Sequence, residues 1–413
     1  MSISPFACRC CGHQVTQSFA DLGLTPLAND YLTQQQKSRA QTYYPLHAGV
    51  CSNCLLVQIE MQETPDRIFS DYAYFSSYSS SWVEHAKQFA EKIAEERQLN
   101  QASLVIEIAS NDGYLLQHFK ALSIPILGVE PAENVAQKAI SEGIPTDVSF
   151  FGVQTAKRLL EHGYQADLLI GNNVLAHVPD LDDFVAGFCI LLKPEGRISF
   201  EFPHLANLMK YNQFDTIYHE HFSYFSLLAI DTLFEKHQLM VVDVEQLPTH
   251  GGSLRVQAAH KGTKISPKAQ ARIDKVKVLE ADMKLDQLET YQHFHAKIEK
   301  VKYDLLRFLM DAKQNGQKVV AYGAPAKGNT MLNFCGIRED LLPYTVDISP
   351  HKQCLYLPGS GIPIHAPDTI NQTQPDYVLI LPWNLKNEIV ASMKTVYDWG
   401  GKFVTAIPEL TVF

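Results

Sequence analysis

The chain has 413 residues, a formal net charge of −10, and 46% hydrophobic against 19% charged side chains. That length and balance fit two or three well-cored domains and exclude a disordered tail or a repeat array, while the acidity argues against nucleic acid as a partner, because neutralising many phosphates takes Lys and Arg. The longest apolar runs, such as the one within Asp376–Pro382, are strand-length and fall short of the roughly 20 residues a membrane helix needs. MSISPFACRCC has no basic segment followed by an apolar core, so no leader and no membrane partner are expected, and the cytoplasm is the expected compartment.

Eight cysteines in such a chain point to thiols or metal ligands rather than disulfides. Cys8-Arg-Cys-Cys11 and Cys51-Ser-Asn-Cys54 give two C-x2-C knuckles, the spacing with which four thiolates hold a tetrahedral Zn²⁺. Cys10 is the spare thiol or the replacement for Cys11; four unrelated cysteines are the bland alternative. With every position filled by protein, the zinc is expected to be structural and to stabilise a module too small to bury enough surface alone.

From about residue 60 to 100 the chain reads as an aromatic, serine-rich loop, Asp71–Ser80, followed by the amphipathic helix WVEHAKQFAEKIAEERQL. Residues 104–202 then alternate strand and helix through LVIEI, ILGVE, DLLIGNNV and GRISFEF. The alternation predicts a doubly wound parallel sheet, in which ligands bind beyond the carboxyl ends of the strands. The first strand ends in Glu107-Ile-Ala-Ser-Asn-Asp-Gly113, where a dinucleotide fold would carry G-x-G-x-x-G. Acidic and amide groups there oppose a pyrophosphate and suit a ligand with hydroxyls and a positive centre. Glu130 closes the second strand, where a carboxylate accepts from ribose hydroxyls, and Asn172 and Asn173 close the next on the same rim. S-adenosylmethionine fits this set; ordinary strand-end polar residues are the alternative.

Asp215–Phe222, read DTIYHEHF, places Tyr218, His219, Glu220 and His221 in consecutive positions after the GRISFEF strand. Removing a proton beside a carbonyl needs a base whose pKa lies near the working pH, which His supplies. A neighbouring carboxylate orients it and a Tyr hydroxyl stabilises the developing enolate. A metal reading of His-Glu-His lacks a third ligand, and a polar surface turn is the structural alternative. His177, just past a strand end, is a further active-site candidate as well as a candidate structural histidine.

Residues 265–313 read as long helices, and KVVAYGAPAKGN, YTVDIS, DYVLILPWN and KFVTAI then repeat the strand-and-turn pattern of a second α/β unit. In Tyr322–Thr330, small residues at Gly323 and Ala324, a helix start and the charge of Lys327 look like a diphosphate cradle, although not a Walker A sequence. A tight strand-to-helix turn is the alternative.

Together the four-cysteine module, EIASNDG, NNVLAHV, YHEHFSYFS, LPTHGGSLR, YGAPAKGNTMLNFCGI and PWN resemble the zinc-containing sugar C-methyltransferases, in order and over essentially the whole chain. That family methylates C3 of nucleotide-linked 4-keto-6-deoxysugars, with thymidine favoured as the base. The resemblance implies that His221 is the general base, with Glu220, Tyr218, His177 and Tyr72 completing the catalytic group. It also implies that the methyl donor lies on Glu107, Asn111, Asp112, Gly113, Glu130 and Asn172. The nucleotide sugar would lie near Gly323, Ala324, Lys327 and Asn329, and Cys8, Cys11, Cys51 and Cys54 would hold structural zinc. The expected division is residues 1–65 for zinc, 66–245 for the methyltransferase unit and 246–413 for the nucleotide-sugar unit, acting as a monomer. Two departures stand out. Ala109 replaces a usual glycine, which calls for ordinary backbone dihedrals there, and His219 stands where some relatives carry Asp. The rival functions are an O- or N-methyltransferase on the same sugars and a non-catalytic zinc adaptor with a degenerate core.

Overall fold

The computed structural model describes residues 3–64 and 76–413. Near the N-terminus, Phe6–Ala7 pairs antiparallel with Gln14–Val15, and the first cysteine knuckle turns between them. Gln17–Thr25, Tyr44–Val50 and Val57–Ile59 form an antiparallel sheet. Its fourth strand is Ser223–Tyr224, which comes directly from the YHEHFSY motif and pairs with Val57 and Gln58. The zinc-bearing sheet is therefore completed by the segment expected to carry the base.

The central sheet runs Leu239–Leu247, Ser253–His260, Leu192–Pro203, Ala166–Asn172, Val105–Ile108, Ile126–Val129, Thr146–Asp147 in spatial order. Among these seven strands Ser253–His260 alone runs opposite to the other six. The buried strands read as continuous apolar runs, such as Leu168-Leu169-Ile170, because both faces are covered. From the adjacent strands Val105–Ile108 and Ala166–Asn172 the chain winds outward in opposite directions, which opens a crevice at their carboxyl ends. The division expected at 245/246 falls inside Leu239–Leu247, and the antiparallel partner of that strand carries the central sheet on to His260. The hydrogen-bond ladder, which composition does not reveal, sets that edge.

The third unit repeats the plan: Ile364–His365, Thr345–Val346, Val319–Tyr322, Tyr377–Ile380 and Lys402–Thr405 are parallel, with Thr411–Val412 antiparallel at the edge. Its crevice opens where Val319–Tyr322 and Tyr377–Ile380 end. The helices start where capping chemistry allows. Ser266 accepts from the Ala269 N–H ahead of Pro267, opening Pro267–Asp282, and Ser226 accepts from the Ala229 N–H to open Leu227–Lys236. Buried Glu280 reinforces the second start by accepting from the N–H groups of Leu227 and Leu228 at 2.6 and 3.0 Å and pairing with His204 at 2.7 Å.

The small N-terminal sheet is wedged between the two α/β units. Phe19, Leu46 and Val57 share one apolar core with Phe222, Phe294, Leu332 and Leu381, and Phe19 stacks on Phe294 at 4.6 Å. The cysteine knuckles pack instead into the core of the central sheet, with Phe200 and Phe234. Phe222, fully buried, sits where these packings meet beneath the Arg9 guanidinium, 5.3 Å from its ring. Truncating it to Ala would cost about 3–5 kcal/mol and loosen the motif it belongs to.

Candidate active site

The Sγ atoms of Cys8, Cys11, Cys51 and Cys54 lie within 4.8 Å of one another, with Cys8–Cys54 and Cys11–Cys51 each at 3.5 Å. Tetrahedral Zn²⁺ with Zn–S of about 2.3 Å needs S···S of about 3.8 Å, so the four thiolates fit the ion. Cys11, rather than Cys10, completes the set; the Cys10 carbonyl accepts from Lys236 Nζ at 3.3 Å. Gln58 locks the knuckle to the sheet, its amide donating to Cys8 Sγ at 3.1 Å and its carbonyl accepting from the Arg9 N–H at 3.0 Å.

On the central rim, Val105–Ile108 runs into a loop bent by left-handed residues: Ala109 at φ +56°, Asn111 at +50° and Gly113 at +81°. Ala109 thus lacks the ordinary dihedrals its side chain calls for. The backbone follows the turn that the Ala109 and Ser110 N–H groups make onto the Val129 carbonyl, at 2.7 and 3.3 Å, and the methyl is accommodated at a conformational cost. Glu130 accepts from the N–H groups of Asn111 and Ala132, both at 2.9 Å, and Asn111 and Asp112 accept from the N–H groups of Ser76 and Ser77. Glu107 Oε2, Asp112 Oδ1 and Asn172 Oδ1 are buried with no partner among the described residues. Burial, then the charges of Glu130 and Asp112, push the Glu107 carboxyl well above its ordinary range, and burial also raises Glu130. Unmatched buried acceptors call for a ligand rich in donors. S-adenosylmethionine offers an ammonium, an exocyclic amine and ribose hydroxyls, so this rim fits it.

The catalytic candidates converge just beyond the same rim. The Phe222 N–H donates to the Ala176 carbonyl at 2.7 Å and the Ile59 N–H to the Phe222 carbonyl at 3.0 Å, so the motif is stitched to both the central unit and the zinc sheet. His177 Nδ1 donates to the Glu220 carbonyl at 2.7 Å, and its ring meets that of His221 edge-on at 4.7 Å. His221 Nδ1 donates to the Thr216 carbonyl at 3.0 Å, which fixes the tautomer; Nε2 is then the basic nitrogen and accepts from the Tyr218 hydroxyl at 2.8 Å. Burial, then the neighbouring His177, holds His221 well below its ordinary value, and burial brings His177 to about 4. Both rings rest neutral. Burial also lifts the Glu220 carboxyl to about 7, against a pull from the Asn29 amide, which donates to its two oxygens at 2.8 and 2.9 Å. His219 turns away and donates from Nε2 to the Pro45 carbonyl at 3.2 Å, a packing role. Tyr72 lies outside the described residues.

The turn Gly323–Pro325 brings the third unit against this cluster. The Ala324 carbonyl accepts from the Tyr31 hydroxyl at 2.5 Å and from Lys352 Nζ at 2.9 Å, and its N–H donates to Asp347 at 2.7 Å. Gly323, at φ +92°, packs so tightly on Pro382 that a side chain there would collide with it. Asn329 donates to the Ala28 carbonyl at 2.6 Å, which ties the turn to the N-terminal unit and leaves its own Oδ1 buried without a partner among the described residues. Lys327 is aimed differently, toward the catalytic motif. Its Nζ donates to Asn384 at 2.9 Å and lies 4.8 Å over the Trp383 ring, whose Nε1 donates to Asp215 at 2.7 Å. Burial raises Asp215 to about 6 against the pull of Lys327, and burial lowers Lys327.

Asn29, Tyr31, Asp215, Trp383 and His250 reach the cluster without having been singled out from sequence as site residues. His250 carried the clearest signal: a histidine immediately before two glycines implies a turn that aims it.

Three family descriptions cover nearly the whole chain: a zinc binding domain at residues 8–69, a methyltransferase domain at 82–244 and a C-methyltransferase C-terminal domain at 248–408. The chain is 35% identical to C-methyltransferase NovU of Streptomyces niveus over 402 residues, 97% of this chain and 95% of that one. A ubiquinone biosynthesis O-methyltransferase of Bartonella bacilliformis matches at 25% over 93 residues, 22% of this chain and 38% of its own. Among solved structures, an S-adenosylmethionine-dependent methyltransferase from Clostridium acetobutylicum superposes with a TM-score of 0.35 at 11% identity, covering 44% of this chain and 92% of that one.

Proposed function

From the premise that this chain belongs to the C-methyltransferase family, an enzyme using S-adenosylmethionine and a zinc-bearing module, we propose that it methylates C3 of a nucleotide-linked, dTDP-type 4-keto-6-deoxysugar through an enolate. Carbon is not nucleophilic until a proton leaves it, so such an enzyme needs a base held neutral beside the acidic C–H. The observation that carries the reading is the tautomer of His221: with Nδ1 committed to the Thr216 carbonyl, Nε2 carries the lone pair, and the protein around the ring favours its neutral form.

In this reading the C3–H bond takes the place of the Tyr218 hydroxyl at Nε2, and the proton moves to His221. The freed hydroxyl then hydrogen-bonds the substrate. His177, held by the Glu220 carbonyl, fixes the angle of the His221 ring, and Glu220 stays in place through Asn29. Tyr72 joins this group through the resemblance. S-adenosylmethionine, held by Glu107, Asn111, Asp112, Gly113, Glu130 and Asn172, supplies an electrophilic methyl. The nucleotide sugar lies against Gly323, Ala324, Lys327 and Asn329 of the third unit, and the four thiolates, with no open position for chemistry, keep zinc out of the reaction.

The test is incubation with S-adenosylmethionine and a dTDP-linked 4-keto-6-deoxyhexose, followed by NMR of the sugar. A methyl bonded to C3 is expected; a methyl on another carbon, or no turnover of any keto-sugar nucleotide, would overturn the substrate assignment.

A further inference from the structure

His250 has no place in the reading above, yet the chain goes to some length to aim it. It adopts a left-handed backbone, φ +52° and ψ +26°, a conformation uncommon outside glycine although His takes it more readily than most, and here the surroundings hold it. Three contacts do so. The Thr249 hydroxyl before it donates at 2.8 Å to Glu201, a buried carboxylate that also takes Arg255 at 2.6 Å and His85 at 3.0 Å. Gly251 after it packs so closely that any side chain would strike the Trp383 ring, while its carbonyl accepts from Gln213 at 2.8 Å. The His250 ring meets Trp82 edge-on at 5.1 Å, and Trp82 in turn stacks on Tyr114 at the end of the donor loop. Held so, it stands between the donor rim on one side and Trp383, with Lys327 4.8 Å above that ring, on the other. No hydrogen bond engages its ring among the described residues.

We propose that His250, through an imidazole N–H, and Lys327, through its ammonium, form the pocket for the carbonyl oxygen adjacent to the carbon that is methylated. The inference rests on the enolate reading above and assigns its missing half. As the C3–H bond breaks, the proton goes to His221 Nε2, the C–H pair forms the C3=C4 bond, and the C4=O π pair moves onto oxygen. That oxygen needs donors that are in place beforehand. A neutral imidazole beside a half-buried ammonium provides two; although one side of His250 is exposed, the protein packed around its ring and then the Lys327 charge lower it to about 4. Lys327 thereby acts on the sugar carbonyl rather than on the diphosphate.

The experiment compares wild type with His250→Ala, His250→Gln, Lys327→Met and Lys327→Arg. It measures deuterium exchange at C3 of the saturating keto-sugar nucleotide in D2O without methyl donor, and dTDP affinity by calorimetry. His250→Ala and Lys327→Met are expected to slow exchange by about 10²-fold or more each, with dTDP affinity unchanged and part of the rate restored in the Gln and Arg variants. Weakened dTDP binding with an unchanged exchange rate at saturation would give both groups to the diphosphate and overturn the proposal. Variants that exchange at the wild-type rate overturn it alone; a wild type that exchanges nothing overturns the enolate reading and this pocket with it.

Discussion

Replacing Asn29 by Ala removes the one described amide that touches the Glu220 carboxyl, at 2.8 and 2.9 Å from its two oxygens. A hydrogen bond to a charged group contributes about 1.5–3 kcal/mol, and about 1.4 kcal/mol corresponds to one pKa unit. The Glu220 carboxyl, already raised to about 7 by burial, should therefore rise by about 1–2 further units in Asn29→Ala. The sign for stability follows from the same shift. Because the folded-state value lies above the ordinary one, folding favours the protonated acid. Its contribution is fully present below the ordinary glutamate value and is lost as pH rises toward about 7. In Asn29→Ala that loss extends to higher pH. Difference infrared titration of the carboxyl band, with Glu220→Gln as the subtraction control, reads the shift directly, and the pH profile of turnover should move with it. A titration midpoint unmoved in Asn29→Ala would refute the argument that this amide holds the carboxylate.

His221→Asn should lower turnover by about 10²–10⁴-fold while S-adenosylmethionine binding by calorimetry stays as in wild type; weakened donor binding would mean a structural role. Ala109→Gly relieves a left-handed alanine, worth roughly 1–2 kcal/mol, partly offset by about 0.4–1 kcal/mol of chain entropy. A small rise in melting temperature is expected, and a fall would contradict the strain. Stripping zinc from the intact enzyme with a chelator should abolish methyl transfer together with hydrogen-exchange protection of Val57–Ile59 and Ser223–Tyr224, because those strands pair. Lost activity with protection intact would give the metal a chemical role.

Much of this was legible in the sequence because local rules governed it. The doubled C-x2-C spacing located the thiolates, and the strand–helix alternation located both α/β units. The same alternation put Glu107, Glu130 and Asn172 at the carboxyl ends of strands, where the structure has them and where ligands of a doubly wound sheet lie. What remained hidden depended on contacts between distant segments. Nothing near Asn29 says that it will face Glu220, and nothing in Ser223-Tyr224 says that it will complete the zinc sheet. Ala109 shows the limit of propensity: its backbone follows the turn onto Val129 at local cost. The central sheet likewise ends at His260 rather than near residue 245, since the closing strand is defined by pairing.

The most direct test of the account is deuterium wash-in at C3 of a dTDP-linked 4-keto-6-deoxyhexose in D2O with no methyl donor present, followed by NMR for wild type and His221→Asn. The account predicts exchange at C3 with wild type and its loss with His221→Asn. Exchange that persists in His221→Asn, or a wild type that exchanges only at another carbon, would contradict it.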